Sequence, residues 1–284
     1  VIFDRLSENA WQDLDLVVIP RTSESEHKLY LYLREMRRRG HLDRPDLYFY
    51  DLLHSQTPES YDYGLERTRR MIADFGVSDV ALSAAIVESN AARAALREVQ
   101  RRRDSGVLQG SVALDLIRPF YLEDRATFAS QLTARLASAS DPNPTTRPKI
   151  LISGYACGNA NLHRFTEGAG GYVVAEDDWL GSRAGGDLDV REDIEPAVAI
   201  FEKYFYDEVS PRMEGPANRD KWFQARMDCG LVDAVVFHLP SEDDVVGWDY
   251  PRQLRWLSDR NVPSLLVRGD VAALGEFIKG LANN

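Results

Sequence analysis

Four short segments concentrate the side chains that could do chemistry: RTSESEH (Arg21 to His27), SGYACGNAN (Ser153 to Asn161), EDDWLGSRAGG (Glu176 to Gly186) and HLPSEDDVVGWDYP (His238 to Pro251). Each follows an apolar run. Cys157 offers a thiol that serves as nucleophile or metal ligand when ionised, although a lone thiol without a neighbouring His pattern reads first as a packed cysteine. Gly154 and Gly158 permit close backbone approach to a ligand, and Asn159 and Asn161 can cap a following helix; turn and cap is the plainer reading, ligand contact the alternative. The segment has neither the G-x-G-x-x-G spacing of a dinucleotide site nor the G-K-[ST] ending of a P-loop. His238 with Glu242, Asp243, Asp244 and Asp249 supplies ligand types for a hard or borderline metal, at a spacing that matches no strong metal signature, so a solvated acidic loop is preferred. Glu176, Asp177 and Asp178 read as a polar loop, with mutual repulsion or a cationic partner as the alternative. Arg101, Arg102 and Arg103 read as a solvated helix end that complements the helix dipole, or else as a landing site for an anion. No Ser-His-Asp triad or catalytic carboxylate pair can be asserted from this order.

The elements that would hold these loops alternate in type. DLVVIP (Asp15 to Pro20) has the continuous apolar character of a parallel strand buried on both faces. A helix follows in which Leu29, Leu33 and Met36 share a face and Gly40 supplies a stop, then a strand over Asp46 to Leu53 and an amphipathic helix over Tyr61 to Asp74. Ser78 is the expected N-cap of a long helix with Leu82, Ile86, Ser89, Leu96 and Val99 along one side. Another helix carries Phe128, Leu132 and Leu136, and the polar, Pro-rich SASDPNPTTRP marks a boundary. The second half repeats the alternation with strands in KILISG, GYVVAEDDW, VDAVVFHL and VPSLLVRGD, and helices between and after them, including a tract with Val198, Phe201, Tyr204 and Phe205. Strands alternating with helices imply parallel sheets in an α/β fold of two doubly wound units joined by a helical bridge. The expected partition is 1–60 for the remainder of a first α/β domain, 61–140 for the bridge and 148–284 for a second α/β domain.

A chain of 284 residues with 44% apolar, 10% aromatic and 28% charged residues has material for about two compact units, which excludes global disorder. Its net charge of −11 argues against a nucleic-acid partner. No apolar run reaches the roughly 18 residues of a membrane span, and two cysteines, Cys157 and Cys229, do not make a disulfide framework, so a reducing cytoplasm is the expected location. The chain opens at Val1 and enters a strand-like run almost at once, so upstream sequence is expected.

In order and spacing, DLVVIPRTSESEHKLY, SNAARAALREVQRRR, KILISGYACGN, EGAGGYVVAEDDWLGSR, LVDAVVFHL and VPSLLVRGD resemble the 2-hydroxyacyl-CoA dehydratase and benzoyl-CoA reductase family over nearly the whole chain. The resemblance implies two flavodoxin-like α/β domains and subunits paired as dimers around iron-sulfur clusters and an acyl-CoA. It also implies a separate ATP-hydrolysing activator that delivers the electron.

The departures from that pattern carry equal weight. Relatives holding a [4Fe-4S] cluster have a cysteine in the loop occupied here by Thr22, Ser23 and Glu24, and another in the loop equivalent to Ser241, Glu242 and Asp243. Ser and Asp are poor substitutes for thiolate, so Ser23 and Asp243 point to a cluster-poor subunit. The expectation is a subunit that contributes to an acyl-CoA site while a homologous partner carries the cluster; the alternative is a non-catalytic scaffold that kept the fold. Candidate contacts to the coenzyme A thioester, taken from strand-end geometry, are Gly154, Cys157, Gly158, Asn159 and Arg183, with Arg164 as a further cation. No metal-ligating residue is assigned.

Overall fold

A computed structural model describes residues 5, 11, 13–21, 24–53, 55–139, 146–178, 180–207, 216–228, 232–241 and 246–282. Ser23, Trp179, Cys229, Glu242, Asp243 and Asp244 lie outside them. The chain divides into two compact units, residues 1–82 with 191–214, and residues 83–190 with 215–284. The segment 61–140 is therefore shared between units, and 191–214 joins the first. Among the described residues no helix is long and apolar enough to cross a membrane.

In the first unit, β1 (Leu16–Pro20) and β2 (Asp46–Tyr50) pair in parallel, with Leu16 opposite Asp46 and Pro20 opposite Tyr50. Helix α1 (Glu24–Arg38) crosses between them, and Ile19, Leu33 and Leu42 form the small core, with Val17, Leu29, Met36 and Phe49 packed against it. The expectation that β1 is buried on both faces is corrected: Leu16 and Val18 are exposed. Side chains alternate across a strand, so Val17 and Ile19 turn to α1 and the other two turn away. Helix α2 (Pro58–Asp74) begins one turn earlier than its apolar stripe indicated, where Thr57 Oγ1 accepts the Ser60 amide (3.3 Å) and Pro58 suits the first turn. Its Tyr61 and Leu65, partly buried, pack against Phe201 of α7 (Pro196–Glu202) and Phe205 of the turn that follows it.

The second unit holds a four-stranded parallel sheet in the order β4-β3-β5-β6, with β3 at Lys149–Gly154, β4 at Tyr172–Asp177, β5 at Ala234–His238 and β6 at Ser264–Val267. Both faces are covered, as the alternation of side chains demands. Leu151, Val235 and Phe237 pack with Phe223 and Met227 of α8 (Pro216–Asp228) and Leu257 of α9 (Tyr250–Ser258). On the other face Ile150, Ala234, Val236 and Val267 pack with Leu274 and Ile278 of α10 (Ala272–Ala282).

The long helix α3 (Asp79–Asp104) opens on the expected cap, with Ser78 Oγ accepting the Ala81 amide (3.3 Å). Ala92, Leu96 and Val99 of α3 join Leu116 and Ile117 of α4 (Gly110–Ile117) and Phe128, Leu132 and Leu136 of α5 (Arg125–Ala139) in a helical core. Helix α4 touches the sheet so closely that a Cβ on Gly110 would sit 2.2 Å from the Val173 carbonyl oxygen. Its N-terminus is met by the buried Glu167 of α6 (Asn161–Gly168), which accepts from the Ser111 amide (3.1 Å) and hydroxyl (2.5 Å). A carboxylate there satisfies an unpaired amide and complements the helix dipole.

Candidate functional site

Chain order and strand order part company between β3 and β5: from β3 the chain passes first to β4 on one side and then to β5 on the other. In an open parallel sheet the connections leave in opposite directions at such a point, and the crevice beyond the carboxyl ends of the two strands is the preferred ligand position. A cavity of about 410 Å³ lies there, lined by Cys157, Gly158, Asn159, Asn161, Leu162, Phe165, His238, Val267, Gly269 and Val271. This is within the range of small-molecule sites, and its walls are mainly apolar with a few polar groups.

The loop after β3 is shaped by Gly154. Its φ of +121° is in the region that L side chains rarely adopt, and a Cβ would come within 2.5 Å of the His238 carbonyl oxygen. That carbonyl instead accepts the Tyr155 amide (2.8 Å), so the turn is stitched to the end of β5. Asn159 Oδ1 accepts the Asn161 amide (2.9 Å) in a local turn that leads into α6, whose N-cap position is occupied by Ala160 and not by either asparagine. Cys157 is buried, with Sγ 3.9 Å from His238 Nδ1. Burial, reinforced by the charges of Asp178 and Glu176, pushes its thiol up to about 12, which is the environment of an inert cysteine.

Beneath the cavity the three consecutive acids of β4 and its following loop each have a separate partner. Glu176 and Arg103 are fully buried and form a bidentate pair, with both N–O distances 2.9 Å. His163 Nε2 lies 2.5 Å from Glu176 Oε1, and the Ser182 hydroxyl donates to Oε2 (2.7 Å). Burial alone would raise the Glu176 carboxyl; the Arg103 charge, then His163, outweigh it and hold the group below the usual carboxylate range. Asp177 accepts from Arg183 and from Ser153 Oγ (3.3 Å), yet burial still leaves it above its ordinary value. Asp178 accepts from the amides of Leu180 (2.9 Å), Gly181 (2.5 Å) and Cys157 (3.3 Å), which fastens the loop after β4 to the loop that floors the cavity.

Of the sequence-derived candidates, Cys157, Gly158 and Asn159 meet at the cavity and Gly154 shapes its loop. Arg183 is elsewhere: its guanidinium is committed to Asp177 and lies 4.6 Å from the Trp222 ring centroid. Arg164 pairs with Asp115 at the surface. The expectation of a solvated Arg103 is corrected by its burial against Glu176, and that of a polar loop at Glu176 and Asp177 gives way to the alternative of cationic partners. Asp249, expected in an acidic loop, is buried and bound by Arg219 (2.7 and 2.8 Å) and Arg252 (2.8 Å). Sequence reading missed Leu162, Phe165, Val267, Gly269 and Val271, although their place at the carboxyl ends of strands and the first turns of helices was the available signal.

Asp178 gives a prediction with a definite sign. Burial, and then the charge of Glu176, push its carboxyl up to about 6. A group whose folded pKa exceeds its unfolded value favours the fold most at low pH, and that contribution is lost as pH rises from about 4 through 6. Asp178→Asn removes the titration, so its stability relative to the natural chain is expected to improve by about 1–3 kcal/mol between pH 4 and pH 7, whatever constant offset follows from the altered hydrogen bonds. Urea unfolding at both values measures this, and a difference independent of pH contradicts the assignment.

No curated protein matches the chain. A family model described as 2-hydroxyglutaryl-CoA dehydratase, D-component, matches residues 3–276, nearly the full length, and the chain belongs to that family of dehydratase components.

Proposed function

We propose that the chain is a subunit of a heteromeric 2-hydroxyacyl-CoA dehydratase or benzoyl-CoA reductase-like enzyme, and that it contributes the crevice between β3 and β5 to the acyl-CoA site. One observation carries this reading: a chain of a dehydratase-component family has a cavity at the switch point of a parallel sheet, where such folds bind ligands. Leu162, Phe165, Val267 and Val271 suit the acyl and pantetheine end of the thioester better than its phosphates. Arg183 is bound inward and Arg164 faces Asp115, so neither of these two cations is free for the phosphates, for which backbone amides are candidates. On this reading Gly154, Cys157, Gly158 and Asn159 hold and orient the ligand, while Arg183 supports the floor beneath them. The first unit, with β1, β2 and α1, is taken to belong to a second flavodoxin-like domain.

A [4Fe-4S] cluster does not fit the described residues. Cluster iron needs thiolates, whereas the Cys157 thiol is held protonated, and no three His, Cys, Asp or Glu side chains among the described residues converge as a metal site. We therefore place the cluster in a homologous partner subunit, served by an ATP-dependent activator. The purified chain, reconstituted anaerobically with iron and sulfide, is expected to stay colourless and to hold well under one iron per chain, and to recover a cluster only with a cysteine-bearing homologue. A stable brown protein with about four irons per chain contradicts this assignment.

A further inference from the structure

The imidazole of His238 stands at the end of β5 on the cavity wall. Its Nδ1 is 3.2 Å from the Tyr155 carbonyl oxygen. A carbonyl oxygen only accepts, so Nδ1 carries the proton in the neutral ring, and the tautomer is fixed by backbone that the Gly154 turn holds in place. The other neighbour of Nδ1 is the Cys157 thiol at 3.9 Å, a weak donor that does not compete with the carbonyl. In this tautomer Nε2 has a lone pair and no proton. No described group hydrogen-bonds to Nε2.

An Nε2 lone pair backed by an Nδ1–H to a backbone carbonyl is also how histidine presents itself to a metal. Here no set of three ligating side chains converges among the described residues, which leaves a hydrogen-bond acceptor. Leu162, Phe165, Val267 and Val271 of the wall carry no donor, and the amides of Asn159 and Asn161, which also line the cavity, form no hydrogen bond with Nε2. A ligand that fills this cavity displaces water from Nε2 and must replace it with an O–H or N–H of its own, or leave a polar group unpaired at a cost.

We propose that His238 is the specificity-determining acceptor of the cavity, taking at Nε2 a neutral O–H or N–H donor of the bound thioester. The assignment deepens the acyl-CoA reading and rests on it. Two parts of the ligand carry such donors, the 2-hydroxyl of a 2-hydroxyacyl group and the amides and hydroxyls of the pantetheine arm.

The test uses the full chain with any subunit that co-purifies, labelled with ¹⁵N in its five histidines. Long-range ¹H–¹⁵N correlation, assigned by the resonance lost in His238→Gln, is expected to show the neutral imidazole with Nδ1 protonated and Nε2 bare; the reverse tautomer overturns the proposal. A 2-hydroxyacyl-CoA and the same acyl-CoA without the hydroxyl are then titrated into the natural chain, His238→Phe and His238→Gln. His238→Phe is expected to weaken binding about tenfold, with His238→Gln, which keeps an acceptor, recovering most of the loss. A loss confined to the hydroxylated thioester assigns the donor to the 2-hydroxyl, and an equal loss for both assigns it to pantetheine. Thioester binding that His238→Phe leaves unchanged overturns the role of His238 alone. Absence of binding to the natural chain overturns the acyl-CoA reading, and this assignment with it.

Discussion

Replacing Arg103 by methionine is expected to destabilise the chain by about 3–5 kcal/mol at pH 7, because it leaves the fully buried Glu176 carboxylate without its bidentate partner. Methionine fills much of the same volume, so the loss reports the unpaired charge and not a cavity. His163 and Ser182 still touch the carboxylate but do not replace a guanidinium. The loss has a pH signature. Arg103, more than any other favourable contact, holds the Glu176 carboxyl below its ordinary range, so in the natural chain the pair contributes stability above the ordinary carboxylate pKa, and this is lost as pH falls. In Arg103→Met burial dominates and the carboxyl takes up a proton more readily, so the difference between the two proteins shrinks towards pH 4. Adding Glu176→Gln to Arg103→Met is expected to restore part of the stability at pH 7. Equilibrium urea unfolding measures all three proteins, and a cost below about 1 kcal/mol for Arg103→Met would show that the carboxylate is not a buried charge.

That network was only partly legible in the sequence, and the reason is local. Arg101, Arg102 and Arg103 are chemically alike, and a run of three at a helix end reads as solvated. Yet Ala92, Leu96, Val99 and Arg103 recur at intervals of four, three and four, so the third arginine continues the buried stripe of α3 while Arg101 remains exposed. Periodicity therefore held the answer, and residue type concealed it. The same pattern located the strands of the second unit, since VDAVVFHL and KILISG are apolar on both faces and the sheet covers both. It misled at β1, where a continuous apolar run lies in a two-stranded sheet with one face packed. The return of Phe201 and Phe205 to α2 was not legible, because it depends on a pairing of segments some 140 positions apart that no local pattern specifies. At the candidate site the glycines and Cys157 were visible as a loop after a strand. The inward turn of Arg183 onto Asp177 was not, since a cation near a strand end is equally suited to a ligand or to a neighbouring carboxylate.

Gly158 offers the most direct test that this crevice is the thioester site. A Cβ built on it meets nothing within 4 Å, and its backbone is outside the left-handed region, so a large side chain can be carried without strain. Because Gly158 lines the cavity, an indole there is expected to reach into the space proposed for the ligand. The decisive measurement is the affinity for a 2-hydroxyacyl-CoA of Gly158→Trp against the natural chain, each with any co-purifying subunit, alongside urea unfolding of both. The expected result is unchanged stability with binding weakened about a hundredfold, equivalent to about 2.8 kcal/mol. Equal affinities in two equally stable proteins would place the thioester somewhere other than the crevice between β3 and β5.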